Sequence, residues 1–140
     1  MGARVRPFQW LSLWANYSYI NPTLKQRPYS GNTIPGVPNN KGSVGADAQF
    51  LGGFLFSVKA TFVGSSFFIS DWANRVPKLD GYFSVDAKLS YAWKGLKAFV
   101  GVNNLTNQKY AEVGVTNSAG AQFFYASPER NFIGGVSYTF

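Results

Sequence analysis

The chain has 140 residues, with 13 Lys and Arg against 6 Asp and Glu for a net charge of +7, and it contains neither Cys nor His. Only 14% of its residues are charged while 18% are aromatic, where about 25% charged is usual in a soluble domain. These numbers describe one domain's worth of chain; they exclude a disulfide framework and thiol or histidine chemistry, make an enzyme or a zinc protein a poor fit, and point to no cofactor.

No window reaches the roughly 18 consecutive apolar residues of a membrane helix. The near-neutral mean hydropathy of −0.09 is compatible with a spanning β-barrel, whose strands alternate lipid-facing and lumen-facing side chains. The opening MGARVRPFQW has neither the apolar run nor the cleavage site of a secretory leader, so an export signal is expected to lie outside these residues.

Period-2 alternation predicts about six strands. In QWLSLWANYSYI, Leu11, Leu13, Ala15, Tyr17 and Tyr19 oppose Trp10, Ser12, Trp14, Asn16 and Ser18. In KGSVGADAQF, Val44, Ala46, Ala48 and Phe50 oppose Ser43, Gly45, Asp47 and Gln49. FLFSVKATFVG sets Phe54, Phe56, Val58, Ala60 and Phe62 against Ser57, Lys59 and Thr61, with Leu55 and Val63 breaking the polar set. YFSVDAKLSYAW is the cleanest, with Phe83, Val85, Ala87, Leu89, Tyr91 and Trp93 against Ser84, Asp86, Lys88 and Ser90. LKAFVGVNN is blurred by Phe99, and RNFIGGVSYTF closes the chain on an aromatic.

The connections between these strands alternate long and short. LGG and KG are the short ones; the long ones, such as NPTLKQRPYSGNTIPGVPNN, collect Pro, Gly, Asn and Ser, the turn formers. Short turns on one side and long loops on the other are the habit of outer-membrane barrels. The apolar faces end in aromatics, as interfacial girdles do. The polar faces carry small residues and isolated charges, with Asp47, Lys59, Asp86 and Lys88 predicted to face a hydrated lumen. A soluble β-sandwich binding module, which would bury the apolar faces against a second sheet, is one alternative. Another is a free-standing small outer-membrane protein that closes by self-association and has a structural or adhesive role.

The 13 basic residues form no run, so the clustered patch that marks a nucleic-acid binder is missing. Near a barrel rim they would instead meet lipopolysaccharide phosphates or an anionic chelate. Among loop aromatics, Tyr29, Phe68, Trp72, Phe124 and Tyr125 are candidates either for ligand contact or for interfacial anchoring.

Several stretches, GNTIPGVPNNKGSVGADAQF, FVGSSFF, LDGYFSVDAKLSYAWKGLKAFVGVNNLTNQKYAE and FFYASPERNFIGGVSYTF, together resemble the C-terminal end of a TonB-dependent receptor of the Gram-negative outer membrane. The most specific pieces are VNNLTNQKYA and SPERNFIGGVSYTF. The resemblance implies an all-β antiparallel meander of transmembrane strands across residues 1–140, part of a 22-stranded barrel whose plug domain is absent here. It implies energy-dependent import of a nutrient such as a ferric siderophore or cobalamin. Its implied partners are the remaining strands and plug, outer-membrane lipid, the barrel-assembly machinery, and the TonB energising complex acting through the missing N-terminal part. The positions matching the family's terminal assembly signal are Phe132, Val136, Tyr138 and Phe140. Six strands cannot enclose a water-filled lumen, so the chain is expected to be a fragment that does not transport alone, from a truncated or split reading frame or an excised piece.

Overall fold

The computed structural model describes residues 1–140. Nine strands and no helix follow in order: β1 Gly2–Phe8, β2 Leu11–Tyr19, β3 Asn40–Phe50, β4 Phe54–Val63, β5 Tyr82–Trp93, β6 Leu96–Asn103, β7 Ala111–Thr116, β8 Gln122–Ala126 and β9 Asn131–Tyr138. Seven of them form one antiparallel sheet in the order β1-β2-β3-β4-β5-β6-β9, and β7 pairs only with β8. The predicted meander is therefore present with one strand more than expected, β1, and with a separate hairpin in its last long loop.

Strand β1 escaped the period-2 reading because Pro7 and two arginines interrupt it. Its pairing with β2 places Ala3 opposite Ala15 and Val5 opposite Leu13, with Arg4 opposite Trp14. Pro7 is tolerated because β1 lies at the sheet edge, where no partner needs its missing N–H. With β1 included, every connection in the sheet alternates short and long. Trp10 follows Gln9 in the first short turn, residues 51–53 form the second, and Lys94–Gly95 the third. Both Lys94 (φ 41°) and Gly95 (φ 81°) are left-handed, as the twist-matched two-residue hairpin requires.

Register sorts the side chains into rows. Across the apolar face run Ala15, Val44, Ala60 and Val85, then Leu13, Ala46, Val58, Ala87, Val102 and Phe132. Aromatics bound these aliphatic rows. At the short-turn end Phe50, Phe54 and Tyr91 lie side by side, ring centroids 5.6 Å and 4.5 Å apart, with Trp93 and Tyr138 beyond. At the long-loop end stand Tyr17, Phe62 and Phe83. On β4 the two belts, Phe54 and Phe62, are eight residues apart. That is about 27 Å along the strand, or about 20 Å vertically at the ~40° tilt of barrel strands.

Only 8 of 140 residues are buried, so neither face of the large sheet has a packed core over it. No second sheet lies on the apolar face, which leaves the sandwich alternative without its second layer. The buried apolar residues, Phe68 and Leu79, sit in the loops. The two edges, the outer sides of β1 and β9, carry unpaired backbone groups.

Candidate functional site

Two regions hold the polar chemistry: the polar face of the sheet, and the loops at its long-loop end. On the polar face, cross-strand register sets Lys59 opposite Asp86 and Asp47 opposite Ser57. The Lys59 Nζ lies 3.1 Å from Asp86 Oδ2, and Asp86 Oδ1 accepts a hydrogen bond from the Asn104 backbone N–H at 3.0 Å. The Ser57 hydroxyl donates to Asp47 at 2.7 Å. Lys88, although two residues from Asp86 on the same face, extends instead over the Phe99 ring, 4.4 Å from its centroid. The four charges thus share one face, but only Lys59 and Asp86 form an ion pair.

Half of the Lys59 side chain is exposed (48%, against 29% for Asp86), and water screens such a pair. A double-mutant cycle of Lys59→Ala and Asp86→Ala, followed by denaturant unfolding in detergent micelles, is expected to return a coupling below about 1 kcal/mol. Asp86→Ala alone should cost more than Lys59→Ala, because it also strips the acceptor from the Asn104 N–H.

The loops form a second, laced layer. Asn74, left-handed at φ 52°, uses its side-chain amide as a substitute peptide: Oδ1 accepts from the Thr33 N–H at 2.7 Å, while Nδ2 donates to the Thr33 carbonyl at 3.0 Å. Asn32 donates to the Trp72 carbonyl at 2.9 Å, and the Gly36 N–H to the Phe67 carbonyl at 2.8 Å. These bonds join loop 20–39 to loop 64–81. Asp71, buried at 5% exposure, accepts from the N–H groups of Arg75 and Val76 at 2.9 Å and 3.0 Å and so satisfies an otherwise costly buried carboxylate.

Loop 64–81 is joined in turn to the β7–β8 hairpin. The Ile69 N–H donates to the Gly114 carbonyl, and the Thr116 N–H to the Ile69 carbonyl, so Ile69 forms a single parallel bridge to Val115 of β7. Phe68 fills the space over Gly114, where a Cβ would lie 2.6 Å from its ring, and meets Phe124 edge-on at 5.4 Å.

Phe68 is therefore corrected from ligand candidate to loop core: at 2% exposure its ring has no surface left to offer. Tyr29, Trp72, Phe124 and Tyr125 are exposed at 39%, 46%, 58% and 65%. Phe124 and Tyr125 stand on opposite faces of the hairpin, since Gly114 pairs with Phe124 and Val113 with Tyr125. Phe132, Val136 and Tyr138 lie on the apolar face of β9 and are exposed, as is Phe140 beyond the strand.

Sequence reasoning missed the residue that ties the last loop down. Asn104 is 3% exposed and left-handed at φ 51°. Its Nδ2 donates to the carbonyls of Gln108 and Pro128, and its Oδ1 accepts from the Gln108 N–H and the Thr106 hydroxyl. Nearby, Tyr110 stacks on Tyr82 at 4.1 Å, and Asn107 accepts from the Arg130 N–H. The run of amide and hydroxyl residues in NNLTNQ was the available signal, because Asn tolerates left-handed backbone and bonds to its own turn. No cluster of three His, Cys, Asp or Glu is placed to hold a metal.

A family model described as "TonB dependent receptor-like, beta-barrel" matches residues 1–105. Among solved structures, the ferric citrate transporter FecA in its unliganded form is 25% identical with a TM-score of 0.78, over 91% of this chain and 21% of that one. The ferric yersiniabactin uptake receptor FyuA from Yersinia pestis is 22% identical with a TM-score of 0.78, over 96% and 21%. The siderophore receptor PiuA from Acinetobacter baumannii is 18% identical with a TM-score of 0.79, over 98% and 20%; these last two show the fold. The chain spans about one-fifth of the length of the structures it matches.

Proposed function

Because the chain belongs to the TonB-dependent receptor-like β-barrel family, we propose that its seven-stranded sheet is the C-terminal wall of an outer-membrane receptor for energy-dependent import of a ferric siderophore or a similar nutrient. In this reading the apolar face meets lipid, the polar face lines the lumen, and the long loops face outward, where lipopolysaccharide and ligand are met. Asp47, Lys59, Asp86 and Lys88 are then lumenal, and Tyr29, Trp72, Phe124 and Tyr125 are the loop aromatics available to a chelate. One observation carries it: a bare apolar face bounded by two aromatic belts, on a sheet with both edges open. In lipid such edges are tolerated only when further strands pair with them. Transport then requires the remaining strands, a plug and the TonB complex, and the chain alone does not transport.

The free edges also favour a second reading, in which copies of the chain pair edge to edge and close a barrel by themselves. Expression behind a bacterial export signal separates the two. A heat-modifiable band in the outer-membrane fraction would support closure by self-association. Degradation, rescued by co-expressing upstream barrel strands, would support the receptor wall. A chain that stays folded in the periplasm without detergent would overturn both.

The exposed aromatics at the end of β9 are proposed as the signal read by the assembly machinery. Phe140→Ser, or a polar tail added after Phe140, should lower the membrane-inserted yield severalfold in the rescued system, while Phe140→Trp should preserve it. Equal yields for all variants would remove Phe140 from that role.

A further inference from the structure

Between the long-loop half of the polar face and the last long loop lies a cleft of about 390 Å³, room for a small ligand or for one end of a larger one. The sheet gives it Lys59, Tyr82, Asp86, Asn103 and Asn131, and the loop gives it Tyr110 and Glu112. An irregularity places Glu112 there. Ala111 pairs with Ala126 and Val113 with Tyr125, so Glu112 is the extra residue of a β-bulge, a device that re-aims a side chain. Tyr82 and Tyr110 stack at 4.1 Å, within 15° of parallel, which occupies one face of each ring.

Charge and hydrogen bonding in this cleft are one-sided. Lys59 is compensated by Asp86 at 3.1 Å. The other ion pair of the molecule is Lys109–Glu129, so Glu112 has no cationic partner and leaves the cleft with one uncompensated negative charge. The amide nitrogens are engaged. Asn103 Nδ2 donates to Asn131 Oδ1 at 2.9 Å, Asn131 Nδ2 to the Glu129 carbonyl at 3.0 Å, and Asn104 Nδ2 to the Gln108 and Pro128 carbonyls. What remains for a guest is chiefly acceptors, the Glu112 carboxylate and Asn103 Oδ1, beside the tyrosine pair.

An anionic group would enter against this charge and find the amide donors already in use. A protonated amine would meet a carboxylate, an amide oxygen and aromatic rings, the surroundings that hold organic cations. We infer that the cleft binds a ligand through a protonated amine, so that the nutrient recognised on this wall carries an organic cation. The inference deepens the receptor reading and rests on it for taking that ligand to be the imported one.

The test uses the full chain in detergent micelles at neutral pH, with ¹³C-labelled tyrosine rings observed by NMR and the Tyr82 and Tyr110 signals assigned through Tyr82→Phe and Tyr110→Phe. The probes are benzylamine, which is protonated there, and the anion benzoate, of similar shape. Benzylamine should shift both ring signals saturably, and benzoate should not. Binding should be about fivefold weaker in Glu112→Gln, the scale of one exposed charge contact. Glu129→Gln makes the same charge change in the same loop outside the cleft and should leave the affinity as it was, which separates a contact at Glu112 from a general field. Equal binding of benzoate, unchanged affinity in Glu112→Gln, an equal loss in Glu129→Gln, or no saturable shift with benzylamine would each overturn the inference. The receptor reading fails separately: circular dichroism showing the same sheet without detergent would sink the membrane assignment and leave the cleft's preference for cations standing.

Discussion

Alanine at Asn104 is expected to release loop 104–130 from the sheet at a cost of about 3 kcal/mol, made up of a left-handed backbone that alanine resists and the loss of several buried hydrogen bonds at about 1 kcal/mol each. Asn104 is the only side chain that reaches both Gln108 and Pro128, the start and the end of that loop, while its own N–H is held by Asp86. Its removal leaves the Gln108 N–H without its acceptor. Hydrogen exchange in micelles should show faster exchange from residue 104 to the start of β9, with β2 to β5 unchanged. Asn104→Gly separates the two causes: glycine restores the backbone freedom and should recover about 1 kcal/mol. Asn104→Asp keeps the acceptor to Gln108 and should lie between them. If the three variants exchanged alike, the side-chain bonds would not be what holds the loop.

The second large effect is expected at Phe68. Truncating a ring that is 2% exposed costs about 3–5 kcal/mol in a packed core, and the edge-on contact with Phe124 adds to the loss. Here the damage should centre on the loops, because the ring packs on Gly114 and Phe124 of the β7–β8 hairpin. Its loss frees Ile69 from β7. Limited proteolysis should then cut within 64–81 and 111–126 while the sheet survives.

Gly114→Val should act from the opposite side, since its Cβ would lie 2.6 Å from the Phe68 ring and the ring, already buried, has nowhere to go. The two changes should not add. In the double variant Phe68→Ala, Gly114→Val the valine occupies part of the vacated space, so the combined loss of loop protection should be smaller than the sum of the single losses. Strict additivity would mean that the two residues do not share one packing site.

Six of the seven sheet strands could be read from alternation alone, because register in a two-faced sheet is set by the side-chain pattern, and β5, with its unbroken apolar set from Phe83 to Trp93, is where that pattern is purest. Strand β1 was hidden by Pro7, and by having only Ala3 and Val5 to show on its apolar face. The hairpin β7–β8 was hidden differently. AEVGVT and QFFYA do alternate, but they lie inside a connection rich in turn formers, so their strand character shows only against Ile69 and each other.

The polar face was legible residue by residue but not as pairs. Asp86 has Lys88 two places away, yet its partner is Lys59 on the neighbouring strand, because directly opposite side chains are closer than those two apart on one strand. Leu55 and Phe99 looked like faults in two separate strands until register placed them in one row. The loop organisers were legible only in part: NNLTNQ signals the local turn that Asn104 makes with Thr106 and Gln108, but the partners that make Asn74 and Asn104 tie loops together, Thr33 and Pro128, lie far off in sequence.

The spacing of the aromatic belts has a consequence for the choice of membrane. A band about 20 Å tall is short of the ~30 Å hydrocarbon thickness of an average bilayer. In such a bilayer either the lipid must compress around the wall or the loop residues next to Tyr17 and Phe83 must be drawn below the headgroups, at a fraction of a kcal/mol per Å. Over the circumference of a whole barrel those fractions accumulate into a preference for thin membranes. The outer membrane of bacteria is thinner than average, so belt separation alone would act as an address, written in ångströms, that sorts the protein away from the thicker membrane.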